Sequence, residues 1–175
     1  YVKQTPAENV AAHAATVAEL IANAEGQHLG FTPVTGMIPD LGLIAYAAAE
    51  GTALDHDLAE SGAARIEAKI SQVARALAGL SDLPVGPTRR LDRSDLLRRA
   101  EAAQRMIALL DPVAGNTAAR LVAGLHAHKV PVRHRPIHGD MKLEHAFLCG
   151  PRTTLIDIES LSMGDPDYDF AALQA

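Results

Sequence analysis

The chain has 175 residues, 48% hydrophobic and 21% charged, an ordinary globular balance with enough length to bury a core without staples. A net charge of −5, few aromatic residues and no tryptophan exclude a nucleic-acid binder built on a basic, base-stacking face. One cysteine, Cys149, excludes an internal disulfide, no apolar run approaches the ~20 residues of a membrane span, and no charged-then-apolar leader is present. The expectation is a cytoplasmic protein of one domain, or one domain and part of another.

In chain order, Tyr1 to Gln4 reads as a strand. The chain starts inside that strand without an initiator methionine, which predicts further sequence upstream. Thr5-Pro6-Ala7-Glu8 has the form of a capping box with proline at the first helical position. The helix after it carries Val10, Ala14, Val17, Ile21 and Ala24 at a 3.6-residue period and stops at Gly26. Strands over Val34 to Ile38 and Leu41 to Tyr46, joined by Pro39-Asp40, form an antiparallel hairpin. From Gly51 the pattern turns helical. Ile66, Ile70, Val73, Leu77 and Leu80 make one apolar stripe, and Leu96, Ala100, Ala103, Ile107 and Leu110 make a second. Leu83 to Pro87 is a proline-rich connector, Asp111-Pro112 ends the second stripe, and Asn116 is the expected cap of a helix reaching about His126.

The tail concentrates the chemistry. Ala146 to Cys149 and Thr153 to Ile156 read as a hairpin with the three-residue loop Gly150-Pro151-Arg152. Pairing Cys149 with Thr153 sets Ala146 against Ile156 and His145 against Asp157, ~5 Å apart as opposed strand residues are. The loop His138-Gly139-Asp140-Met141-Lys142 immediately precedes His145. Two carboxylates, a lysine and a histidine are therefore expected in one site.

Phosphoryl transfer requires positioning and charge neutralisation more than covalent chemistry. It needs an aspartate to take the acceptor hydroxyl's proton, a carboxylate for Mg²⁺, a second metal ligand five residues after the base, and a lysine over the nucleotide. The segment His138-Gly139-Asp140 with His145 at the fifth position after Asp140, then Ile156-Asp157, then Gly164-Asp165-Pro166-Asp167-Tyr168-Asp169-Phe170-Ala171, resembles the linked motifs of aminoglycoside phosphotransferases and choline-kinase-like enzymes. The resemblance implies a protein-kinase-like α+β fold: a partial small lobe over residues 1–50, of antiparallel strands and one helix, then a mostly helical large lobe with the catalytic hairpin over 51–175. It implies that the first strands and their glycine-rich loop are missing and that the large lobe is truncated at its C-terminus. It also implies ATP and Mg²⁺ as cofactors and a small molecule bearing a hydroxyl as substrate, whether aminoglycoside, amino sugar, sugar or choline-like, with no nucleic-acid or membrane partner.

Residue by residue, the resemblance makes Asp140 the catalytic base, with Lys142 neutralising the transferring group, and His145 and Asp157 the metal ligands. Lys3 takes the place of the nucleotide-binding lysine, Glu19 is its ion-pair partner with Glu8 as the spare, and backbone groups of Ala47 to Ala49 bind adenine. His138 and Asp169 are expected to be structural, Asp169 as an acceptor for loop N–H groups. His145 stands where the family has asparagine, and imidazole is a poorer Mg²⁺ ligand than oxygen. Two other readings remain open: a kinase-like binding module without turnover, and a metal-dependent hydrolase built on His126, His128, His134, His138 and His145 with Asp140 and Asp157. Asp95, Asp111 and Asp167 are either surface acids or attractors for a cationic sugar.

Overall fold

The computed structural model describes residues 1–86, 89–128 and 133–173. Pro87, at the end of the expected connector, and residues 174–175 of the expected large lobe lie outside them.

Strand β1 (Val2–Gln4) leads through a 3₁₀ turn (Ala7–Asn9) into helix α1 (Val10–Asn23). The expected capping box is not formed. Thr5 gives its N–H to Gly42 O (2.8 Å), so that donor is already bound to the neighbouring strand connection when the helix begins. The apolar period does its work, burying Val10, Val17 and Leu20. Strand β2 (Leu29–Phe31) follows, then β3 (Val34–Ile38) and β4 (Leu43–Tyr46). The expected hairpin pairs Ile38 with Leu43, but its second strand starts at Leu43 instead of Leu41. Pro39 opens a 3₁₀ turn that Gly42 closes at φ +64°.

Strand β5 (Thr52–Ala53) runs into helix α2 (Leu54–Ala59) and then α3 (Ala63–Asp82). Val73, Leu77 and Leu80 of the first stripe are buried, whereas Ile66 is exposed. Strand β6 (Arg89–Arg90) precedes helices α4 (Arg93–Leu110) and α5 (Pro112–Ala127). The cap of α5 is Asp111, whose Oδ1 accepts from the N–H groups of Val113 (2.8 Å) and Ala114 (3.1 Å). Asn116 lies inside the helix, because Pro112 at the first helical position starts it earlier. The second stripe does not reach the core, since α4 has no buried residue. Helices α4 and α5 pack chiefly on each other.

Strands β7 (Arg135–Ile137), β8 (Ala146–Cys149), β9 (Arg152–Leu155) and β10 (Ser162–Gly164) and helix α6 (Asp167–Ala172) complete the chain. Three small sheets result, with strand orders β1-β4-β3, β2-β9-β8-β5 and β6-β10-β7. One core runs through the first two, joining Val17 and Leu20 of α1, Leu29, Ile44, Leu77 and Leu80, with Met141, Ala146, Leu155 and Ile158 from the tail. No described helix is long and apolar enough to cross a membrane.

Candidate active site

The loop after β7 is held by its own buried groups. The Asp169 carboxylate accepts the N–H groups of His138 (2.6 Å) and Gly139 (2.9 Å). Burial pushes its pKa up, against those two hydrogen bonds. Gly139 has φ +81°, and a Cβ there would lie 2.3 Å from Ser160 O, so this turn requires glycine. Met141 is buried and anchors the loop to the core. Between these two points Asp140 projects with its side chain half exposed, and Lys142 Nζ lies 3.2 Å from Asp140 Oδ2.

A 3₁₀ turn over Leu143–His145 then drives His145 inward to 5% exposure. Its Nδ1 lies 3.0 Å from the Asp140 carbonyl oxygen, so Nδ1 carries the proton and donates. The other ring nitrogen, Nε2, is 3.3 Å from Asp157 Oδ2. The His138 ring stacks beside that of His145, centroids 5.5 Å apart, and donates from Nε2 to Ile156 O (2.8 Å). Burial lowers the His138 pKa, so it stands neutral.

The hairpin register differs by one residue from the sequence expectation. Cys149 pairs with Arg152 and Ala146 with Leu155, so the loop is the two-residue Gly150-Pro151. Carried one step further, His145 stands opposite Ile156, whose N–H donates to His145 O (3.0 Å). A slip of one would normally turn Asp157 to the other face. Asp157 instead leaves the strand with φ +63°, the only non-glycine residue with positive φ among the described residues. That left-handed turn returns its carboxylate to His145.

Lys3, from β1, ion-pairs with Asp157 and lies 3.2 Å from Glu159 Oε2. Burial alone would raise the Asp157 pKa, but hydrogen bonds with Glu159 and Lys3 and the lysine charge bring it down to about 2. Glu159, pressed by burial and by Asp157, is pushed up to about 7. The expected Lys3–Glu19 ion pair is not formed. Glu19 is exposed on the outer face of α1 and accepts the Gly86 N–H (3.1 Å), and Glu8 is exposed in the 3₁₀ turn. Glu159 takes the place at Lys3 that the helix glutamate was expected to hold. The Ile156-Asp157-Ile158-Glu159 segment carried a signal for it, a second acid two residues after Asp157. Only the 3₁₀ turn at Ile158–Ser160 brings that acid back.

Ala47, Ala48 and Ala49 line a cavity of about 300 Å³ with Phe31, Thr32 and Thr154. Ala47 gives its N–H to Pro33 O (3.0 Å), so a ligand would use other backbone groups of the segment. The cavity's Cys149, Arg152 and Thr154 belong to the same hairpin that leads to Asp157.

The other histidines do not join the site. His126 lies 2.9 Å from Glu101, and His134 3.8 Å from Asp92. Among the described residues no three His, Cys, Asp or Glu side chains are grouped to hold a metal. The acids considered for a cationic substrate have local partners too: Asp95 with Arg98 and the Asp92 N–H, Asp111 at its cap, and Asp167 with Arg133 at 3.0 Å.

With Nδ1 protonated, a neutral His145 would present Nε2 to Asp157 Oδ2 as a second acceptor, and such a pair needs a proton or a cation between its members. This donor pair fits a divalent ion that takes its remaining ligands from elsewhere.

The sequence matches the model of the phosphotransferase enzyme family (APH) over residues 7–175. The chain belongs to that family. Its fold is similar to that of a choline/ethanolamine kinase family protein from Mesorhizobium loti, with TM-score 0.62 and 17% identity over 99% of this chain and 56% of that one. It is similar also to a macrolide 2'-phosphotransferase type I, with TM-score 0.65 and 15% identity over 95% and 58% of the two chains. A third similar structure is APH(2")-IIa in a ternary complex with streptomycin and ATP, with TM-score 0.60 and 15% identity over 97% and 63%. The fold is thus the α+β, protein-kinase-like one expected from the sequence. This chain spans 56–63% of the length of those proteins. No curated protein matches the sequence.

Proposed function

We propose that this chain carries the nucleotide and metal sites of an ATP-dependent phosphotransferase acting on a hydroxyl of a small molecule. One observation carries the reading: Lys142, Asp140, His145, Asp157 and Lys3 form one unbroken line of contacts. On this reading residues 1–50 form the partial small lobe and 51–175 the large lobe, in the cytoplasm. Asp140, half exposed and held at its backbone by His145, accepts the proton of the acceptor hydroxyl. Lys142 offsets charge on the transferring phosphoryl group, Lys3 binds the nucleotide phosphates, and the Ala47–Ala49 cavity takes the adenine. A divalent ion held by Asp157 and His145 would neutralise phosphate charge. The acceptor is proposed as an aminoglycoside, amino sugar, sugar or choline-like alcohol.

The test is ATP consumption by the protein over a panel of such alcohols, with Asp140→Asn as control. The substitution should lower turnover ~10²–10⁴-fold, the contribution of a positioned base, and leave nucleotide binding intact. An unchanged rate in the variant would falsify the base assignment. Nucleotide binding without turnover on any acceptor would instead support a binding module.

A further inference from the structure

Resting on that reading, we infer that His145 shifts the metal site's preference from Mg²⁺ toward a divalent transition-metal ion that keeps octahedral oxygen ligands and also accepts nitrogen, Mn²⁺ in particular. The histidine is fixed for this role on three sides. It is almost wholly buried, its Nδ1–H is tied to the Asp140 carbonyl (3.0 Å), and its ring lies against that of His138. Such a hydrogen bond on the far nitrogen sets the tautomer and aims the near one, as second-layer partners of metal-bound histidines do.

The aimed nitrogen, Nε2, is 3.3 Å from Asp157 Oδ2, while Asp157 Oδ1 is taken by Lys3. One nitrogen and one oxygen are therefore left facing each other. Two ligands ~2.1–2.2 Å from a shared ion at a right angle lie about 3 Å apart, so the pair is spaced for neighbouring positions of an octahedron. Mg²⁺ is hard and favours oxygen over an imidazole nitrogen. Mn²⁺ takes carboxylate and phosphate oxygens as readily and accepts imidazole better, while zinc's tetrahedral habit suits a nucleotide-completed site less well.

The experiment is a Mn²⁺ titration of the protein with a non-hydrolysable ATP analogue, followed by electron paramagnetic resonance, with Mg²⁺ as competitor. The Mn²⁺-over-Mg²⁺ preference of the parent should exceed that of His145→Asn by about tenfold or more, the order expected when a borderline ligand is exchanged for a hard one. Echo modulation from the parent should show a directly bound nitrogen that changes when the protein's histidines are ¹⁵N-labelled. This second readout does not depend on the variant folding. Preferences agreeing within about twofold, or bound Mn²⁺ without histidine nitrogen coupling, overturn the inference and leave the phosphotransferase reading standing. If the analogue binds with neither metal, both fall together.

Discussion

His13 illustrates how a single side chain outside the site reports on its surroundings. It is partly buried on α1, with Nε2 2.7 Å from the Tyr46 hydroxyl, and Lys3 and Asp157 are the charges nearest in effect. Burial lowers its pKa, and Lys3 adds to the effect. The unfolded chain therefore takes up a proton near pH ~6.5, before the folded one does. The stability this neutral imidazole contributes is complete above that pH and is lost as pH falls toward the depressed folded value. Thermal denaturation between about pH 7 and about pH 5 should show the parent losing more stability than His13→Gln. Equal losses would rule out a depressed pKa at this position.

At the scale of elements, caps and turns decided where helices and strands begin. Asp111 serves α5 because it directly precedes Pro112, while Asn116 lies a turn inside. Asp111→Ala should cost ~1 kcal/mol in chemical denaturation, whereas Asn116→Ala should fall within about 0.5 kcal/mol of the parent. The reverse order would restore Asn116 as the cap. The β8–β9 hairpin shows the same dependence on local detail. Gly150, at φ +56°, supplies the left-handed residue that a two-residue loop needs. Arg152 is thereby drawn into β9, where its guanidinium lies over Gly30 so closely that a Cβ there would be 2.6 Å from Nε. Three loop residues and two loop residues look alike in sequence. The packing of Arg152 on β2 separates them.

Over the whole molecule, burial is uneven. The core joins α1, α3, β2, β4 and the site loop, and none of its residues comes from α4 or α5. Those two helices meet closely at Gly115, where a Cβ would stand 2.5 Å from Ala108 Cα, yet Met106, Leu109, Leu110, Val113 and Leu121 are exposed. An element with few core contacts opens at lower free energy than one that shares the core. Native-state hydrogen exchange should show amides of α4 and α5 exchanging through local opening while those around Val17 and Leu77 exchange only with global unfolding. Uniform protection across all four helices would contradict this division.

Much of the helical content and the β3–β4 and β8–β9 hairpins was determined by the sequence itself. A 3.6-residue period, a proline at a helix start and short loops between alternating runs act over a few residues and read the same in any tertiary setting. The nearness of Asp140 and His145 was legible because one short loop carries both, whereas Asp157 reaches His145 through its left-handed turn, not through the register expected of the hairpin. The tertiary structure decided the rest. Lys3 meets Asp157 across 154 positions of chain, Glu159 supplants Glu19 beside it, and β2 joins β9 in a parallel pair. Strands of two or three residues such as β6, β7 and β10 are too short to carry a period. The rotation of α1 that turns Glu19 outward follows from burying Val17 and Leu20, because the apolar face is fixed by what it packs against and the charged face by what is left.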